Sequence, residues 1–411
     1  MFNLHLTAEQ LEFRDTVRDF VQNEVKPAAL HPARLEPFEK PLLAELLDYA
    51  SRMGLRTLAL SEAAGGAGAD TLTSCIVLEE LAAGDVDIAM ALAVTQGLGR
   101  TLFESAMSDT QRERHLGRFT EEHAYHLAFA GDDAQAERAW NYHREDLAEA
   151  RGGATAEKQS NGDWVIDGTF AFVPNAPIAQ LFVVQARTGS GNTAFLIPKG
   201  TVGLTVGEPG KAFDGADGRS LARWYHGTGS EVRFDACRVA ADSVLGKEGA
   251  SAFDASHDAR AQVLIAAVNL GVGRAAYDAA VDYARIRVQG GRPIVDHQSI
   301  GAILADCAIK LELARTIIWK AAWAADNPQA VTDRSVSDLP LHTIARVYTA
   351  EAMHEATLGA AECFGAMGVM RDMPLQKYVH DAFVFLNGSG HDSATKLGIA
   401  EAVAGYERAA A

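Results

Sequence analysis

The hydrophobic period of this chain changes twice along its length, and those two changes constrain its fold more than any single motif does. From residue 7 to about 122, apolar residues recur at helical spacing. Thr7 and Gln10 read as a capping box, and Phe13, Val17, Phe20, Val21 and Val25 then repeat along one face. Further helices are expected over 42–53 and, longer and more apolar, over 73–92, with the loop Gly65-Gly66-Ala67-Gly68-Ala69-Asp70 between them. From about 124 to 245 the period shortens. The runs 164–173, 181–186, 194–198 and 231–234 are strand-like and divided by Gly, Asn, Asp and Ser turns, which predicts a small sandwich or barrel. From about 251 onward the pattern is helical again, with Ala-rich helices over 259–287, 298–325, 341–364 and 393–409. The expected units are an N-terminal helical domain (1–122), a middle β domain (123–246) and a C-terminal helical bundle (247–411).

Composition removes several function classes. Apolar residues make up 48% of the 411 and charged residues 22%, enough for a large core. A net charge of −17 argues against general nucleic-acid binding, which needs a basic footprint. The four cysteines, Cys75, Cys237, Cys307 and Cys363, form no CxxC pair, so neither zinc nor a disulfide framework is expected. Met1-Phe2-Asn3-Leu4-His5-Leu6 lacks a basic n-region, and no run of about 18 uninterrupted apolar residues occurs. A cytoplasmic protein with reduced thiols and no membrane span is the expectation.

Four groups of motifs lie in this frame in order. Gly65-Gly66 is followed by Val77-Leu78-Glu79-Glu80-Leu81-Ala82. Ala156-Glu157-Lys158 precedes Trp164-Val165-Ile166-Asp167-Gly168. Tyr283-Ala284-Arg285-Ile286-Arg287 leads into Gly290-Gly291-Arg292-Pro293 and His297-Gln298. Phe364-Gly365-Ala366-Met367-Gly368 is followed by Gln376-Lys377-Tyr378-Val379-His380-Asp381 and by Asn387-Gly388-Ser389-Gly390-His391-Asp392. Each is weak alone. In this order and spacing they make the chain resemble the acyl-CoA dehydrogenase family over nearly its whole length. The resemblance implies that family's fold, with a C-terminal four-helix bundle. It also implies FAD as cofactor, an acyl-CoA substrate and an electron-transfer flavoprotein as acceptor. Because FAD contacts come from two subunits, a homodimer or homotetramer is implied as well.

The resemblance also assigns cofactor residues. Arg287 would hold the FAD pyrophosphate, for which a guanidinium offers two charge-assisted hydrogen bonds. Gln298 would serve the adenosine half, and Phe364, Gly365 and Ala366 would approach it from the next subunit, the small residues permitting close backbone contact. His391 and Ser393 complete these contacts. Where the family places Trp-(Ile/Val)-(Ser/Thr) against the flavin ring, this chain has Phe172-Val173-Pro174. An aromatic still covers the ring, but proline supplies neither hydroxyl nor N–H. The upstream loop is reduced to Ala130-Gly131-Asp132-Asp133 and followed by a charged insertion over 135–151.

The largest departure concerns the base. In most members of that family the slot matching Ser389 holds a glutamate that removes the substrate α-proton. The two other positions that can carry a carboxylate fall near Ala261 or Gln262 and around Thr95 and Gln96. All are neutral here, and a serine does not deprotonate carbon unaided. Asp392, one turn past Ser389, and Asp258 are the nearest acids in sequence; a helix-terminal or surface acid is the plainer reading of each.

Other patterns mislead. Gly271-Val272-Gly273-Arg274-Ala275-Ala276 resembles a dinucleotide fingerprint but lies inside a helix. Ser389, His391 and Asp392 are too close together for a hydrolase triad, and no GxSxG elbow exists. The expected function is FAD-dependent oxidation of a CoA thioester, by Cα–Cβ desaturation or a variant, on a substrate that is alicyclic or aromatic-derived. Two alternatives stay open: a silent subunit of a heteromeric dehydrogenase, and a relative with other chemistry, such as elimination from a CoA ester or flavin oxygenation.

Overall fold

The structure is a computed structural model that describes residues 5–34, 41–131, 153–209, 225–249, 259–370, 372–388 and 393–404. Among them the longer N-terminal helices are α1 (Ala8–Phe20), α2 (Ala44–Arg52), α3 (Thr71–Ala82), α4 (Val86–Thr101) and α5 (Asp109–Glu121). The capping box of α1 is formed: Gln10 N–H donates to Thr7 Oγ1 at 3.1 Å, and Thr7 N–H donates to Gln10 Oε1 at 3.0 Å. The single helix expected over 73–92 is two helices. Gly84 separates them, because a side chain there would strike Val21 Cγ1 at 2.8 Å. Asp85 then starts α4 afresh, its Oδ1 accepting from Asp87 and Ile88 N–H at 3.0 Å each.

The middle region has strands β1 (His126–Ala130), β2 (Gly153–Lys158), β3 (Trp164–Pro174), β4 (Ala179–Thr188), β5 (Gly191–Pro198), β6 (Leu204–Val206), β7 (Gly229–Val239) and β8 (Val244–Leu245). The strands join in one eight-stranded sheet, ordered β6-β7-β3-β2-β4-β5-β8 with β1 also paired to β4. β1 and β2 run parallel along the same strand in succession, Ala130 facing Val184 and Ala154 facing Ala186. The sheet curls over itself. Trp164 of β3 meets Phe195 of β5 edge-on at 5.3 Å although two strands lie between them in the ladder. Alternation gives β4 two buried faces: Phe182 and Val184 enter the sheet's own core, while Leu181 and Val183 pack with Leu98, Phe103 and Phe119 of the helices.

The C-terminal helices are α6 (Ala259–Ile286), α7 (Gln298–Asp326), α8 (Leu341–Phe364), α9 (Leu375–Gly388) and α10 (Ser393–Ala404). The first four are the long bundle helices, and α10 is an additional one. α6 is long and apolar enough to cross a membrane, but 72% of its most apolar window is buried inside the fold. The glycines that imitate a nucleotide fingerprint serve packing instead. A side chain on Gly271 would meet Glu79 O at 2.4 Å, and one on Gly273 would meet Met353 Sδ at 2.2 Å. The N-terminal helices and the bundle share one core, with Leu78, Leu92, Val263, Leu270, Ile318, Met353 and Phe385 in the same cluster.

All twelve residues of α3 are buried, including Glu79 and Glu80. Buried carboxylates need partners. Glu80 receives Arg274 Nη1 and Nη2 at 2.8 Å each and Arg18 Nη2 at 2.7 Å, and Glu79 receives Arg315 Nη2 at 2.8 Å. Burial alone would raise the Glu80 carboxyl, but the hydrogen bonds from Arg274 and Arg18 outweigh it and hold the group below its usual range.

Glu80→Ala is expected to lower stability by about 3 kcal/mol, since it takes from the largely buried Arg274 its two 2.8 Å bonds and leaves it only the longer contacts to Glu79. The sign with pH follows from the lowered carboxyl. Its stabilisation is present above the unfolded-state value, about 4.3, and is lost as pH falls through the lower folded-state value. Urea unfolding of wild type and Glu80→Gln should differ most near neutrality and converge in acid; equal midpoints at neutral pH would overturn this account.

Candidate functional site

Two places gather the sequence-singled residues. The first is the end of the bundle where α6 stops. The Arg287 backbone is pinned on both sides, N–H to Tyr283 O at 2.9 Å and O from Ile294 N–H at 2.8 Å. Gly290 and Gly291 turn the chain with φ of 61° and 81°, a conformation that favours glycine. His297 Nε2 then meets Gln289 O at 3.0 Å and closes the turn, and exposed Gln298 opens α7. The Arg287 side chain is exposed, and among the described residues it makes no hydrogen bond or ion pair. Phe364 reaches the same end, but its ring is only 6% exposed and stacks on Tyr283 at 4.1 Å. Its ring therefore belongs to the core of its own chain, and Gly365 and Ala366 are the exposed part of that motif. Ile286, Val288, Val369 and Met370 are exposed apolar side chains in the segments that flank these residues.

The second place is the junction of α4, the end of β3, the lead-in to β7, and α9. Phe172 is half-buried, with its ring 4.2 Å from Tyr225 and over Gly229, where a Cβ would come within 2.3 Å of it. Strand alternation sends Val173 into the sheet core and leaves Pro174 exposed. The next residue, Asn175, has φ of 62° and reaches α4: its Nδ2 donates to Ala91 O at 2.9 Å and Thr95 Oγ1 at 3.2 Å. Thr95 Oγ1 also lies 3.1 Å from His126 Nδ1. Burial, and then Arg56, push the His126 imidazole down to about 3, so it is neutral. Thr95 is thus committed to a buried network. Gln96 donates to Leu55 O at 2.6 Å. A Cβ on Gly97 would lie 3.4 Å from the Ala261 Cβ, so α4 and the start of α6 approach closely there, and Gln262 is buried.

Sequence reasoning missed the charged cluster at this junction. Asp85, Asp87, Lys377 and Asp381 are all buried, and Lys377 Nζ donates to Asp381 Oδ2 at 2.6 Å. Burial works against the Lys377 ammonium, but Asp381 and Asp85 hold it above its usual range. Burial and the neighbouring Asp87 raise the Asp85 carboxyl. His226 Nε2 lies 2.8 Å from Asp381 O, and Gly227 N–H donates to Asp87 Oδ1 at 2.9 Å. The i, i+4 spacing of Lys377 and Asp381 was the signal available in sequence; nothing local announces His226. Ser389, His391, Asp392 and Asp258 lie outside the described residues, as does the insertion over 135–151, and Ser393 is the first residue of α10.

Comparison with known proteins gives this geometry its context. Residues 7–123 match the family model described as acyl-CoA dehydrogenase, N-terminal domain, and residues 257–404 match the one described as acyl-CoA dehydrogenase, C-terminal domain. The chain is 29% identical to an acyl-CoA dehydrogenase of Bacillus subtilis over 93% of its own length and 94% of that protein. It is 30% identical to the benzylmalonyl-CoA dehydrogenase of Aromatoleum aromaticum over 97% of its length and 98% of that protein. Its fold superposes on butyryl-CoA dehydrogenase from Megasphaera elsdenii with a TM-score of 0.81 at 25% identity, covering 98% of this chain and all of that one (100%). Both helical ends match by sequence, the curled sheet and bundle match by fold, and the similarity runs almost end to end, so the protein is a member of the acyl-CoA dehydrogenase family.

Proposed function

We propose that this protein is an FAD-dependent oxidoreductase of CoA thioesters, with an alicyclic or aromatic-derived acyl group and an electron-transfer flavoprotein as acceptor. The observation that carries it is Arg287, an exposed guanidinium with no bonding partner among the described residues, on a backbone pinned by Tyr283 and Ile294. A pinned, unpaired cation beside a glycine turn fits a pyrophosphate. When bound, FAD accepts the hydride equivalent that desaturation releases. The chain's own residues bind and orient. Arg287 and Gln298 hold the dinucleotide, with Gly365 and Ala366 of a second copy approaching it, and Phe172 covers the ring. The exposed apolar side chains near Arg287 favour an oligomer, since such surface is costly in water. The benzylmalonyl-CoA relative supports an aromatic-derived acyl group.

Among the described slots Thr95 and Gln96 are engaged in structural hydrogen bonds and Ala261 packs on Gly97, so none supplies a carboxylate. That observation favours a second reading, a silent subunit that completes the FAD site of an active partner. Elimination from a CoA ester and flavin oxygenation have no observation of their own.

The purified protein is expected to be yellow, and Arg287→Ala to lose most of its flavin, because two lost charge-assisted hydrogen bonds cost roughly 2–4 kcal/mol. A colourless wild type that FAD cannot reconstitute, alone or with a partner subunit, would sink this assignment. For the base, butyryl-, octanoyl- and palmitoyl-CoA should bleach the flavin very slowly, since general-base help contributes about 10²–10⁴ in rate. Ser389→Glu should raise that rate. Rapid turnover by wild type would show that another group replaces the glutamate, while activity restored only by an added partner subunit would establish the silent-subunit reading.

A further inference from the structure

We propose that Asn175 is a positioning residue that sets Phe172 against the flavin ring, an inference that rests on the reading above in which Phe172 covers that ring. Asn175 comes three residues after Phe172 and is 1% exposed. Its φ is 62°, a left-handed conformation that asparagine tolerates better than most side chains. From there it holds β3, β4, the lead-in to β7 and α4 together. Its backbone N–H donates to Thr228 O, just before β7, at 2.7 Å. Its backbone O accepts from Ile178 N–H at 3.0 Å and from the N–H of Ala179, where β4 begins, at 2.9 Å. Its side-chain Nδ2 donates to Ala91 O at 2.9 Å and to Thr95 Oγ1 at 3.2 Å, both on α4. A carbonyl only accepts, so Ala91 O fixes the amide with its nitrogen toward the helix.

The aromatic pair of Phe172 and Tyr225 lies between two such fastenings. Gly227 N–H donates to Asp87 Oδ1 at 2.9 Å, one turn before Ala91 on α4. A Cβ on Gly227 would stand 3.3 Å from Met90 Cβ, so the helix lies close against this segment. Two residues earlier, Tyr225 packs on Phe172 at 4.2 Å, and two residues later Gly229 lies against the same ring. Asn175 and Gly227 therefore tie both segments around Phe172 to one face of α4. The helix does not need the Asn175 amide for its own satisfaction. Thr95 Oγ1 also lies 3.0 Å from Ala91 O and 3.1 Å from His126 Nδ1. What the amide adds is a fixed place for the end of β3. One turn of α4 further on, Gly97 meets Ala261 of α6, so that place also sets how far the Phe172 ring stands from the contact between the two helices. Asn175 is buried and fully engaged, and it acts through Phe172.

The test is FAD binding by the full-length protein in four forms: wild type, Asn175→Gly, Phe172→Ala and the double variant. Glycine keeps the left-handed backbone and removes both bonds to α4. Each single substitution should weaken FAD binding about tenfold, the contribution of one aromatic contact. The double variant should bind no more weakly than Phe172→Ala, because Asn175 acts through that ring. At saturating FAD, the visible flavin bands of Asn175→Gly should shift toward those of Phe172→Ala. Hydrogen exchange at the Ile178 and Ala179 amides should quicken about tenfold more than exchange in β5. Additive losses in the double variant would place the action of Asn175 elsewhere than on Phe172 and overturn the proposal. So would an Asn175→Gly protein with wild-type affinity and bands, or exchange that quickens equally in β5. If Asn175→Gly does not fold, Thr95→Val takes its place in the same cycle. It removes one of the two acceptors at constant shape, and Thr95→Ser should restore wild-type binding. A wild type that takes up no FAD sinks the cofactor reading, and the proposal with it. Wild-type affinity in Phe172→Ala overturns the proposal and leaves FAD in place.

Discussion

Two carboxylates in a helix without a solvent face set the terms for the rest of this structure. Helix α3 buries Glu79 and Glu80 along with every other residue it contains, and an unpaired buried carboxylate is too costly to keep. The arginines that answer them come from α1, α6 and α7. Gly271 lets α6 come close enough to lie against the Glu79 carbonyl. The N-terminal helices and the bundle therefore form one body with one core, held in register by charge pairs that apolar packing alone would not specify.

That body leaves a fixed edge for the sheet. β4 is buried on both faces, one against the sheet's own aromatic core and one against α4 and α5, so the curled sheet cannot slide on the helices without exposing one of them. The break between α3 and α4 then shapes the junction with the sheet. Asp85 restarts the helix so that Asp87, Ala91 and Thr95 face the ends of β3 and β7, and Asn175, Gly227 and His226 meet them there. The junction is polar and buried. Phe172, which we propose covers the flavin, lies at its margin.

Much of the architecture was legible in the sequence because it follows from periodicity. The Leu341–Phe364 helix, the Thr7–Gln10 capping box and the four principal strands emerge where expected. The helix over 73–92 was misjudged because one continuous apolar stripe hides a glycine needed for close packing against Val21. The stacking of the Phe364 ring on Tyr283 was not legible, because it is decided by two helix ends that the sequence does not place side by side. Val173 was grouped with Phe172 and Pro174, yet strand alternation turns it the other way.

By itself the sequence determined the order of helical and β regions, the glycine turn that follows Arg287, and that residue 389 is a serine, since each depends on residue type and local spacing alone. Only the tertiary structure decided that a single sheet curls over its own core, that Glu79 and Glu80 are structural, and that His226 reaches both Asp87 and Asp381. Those outcomes depend on long-range contacts: no local pattern encodes which distant backbone carbonyl or carboxylate a side chain will find.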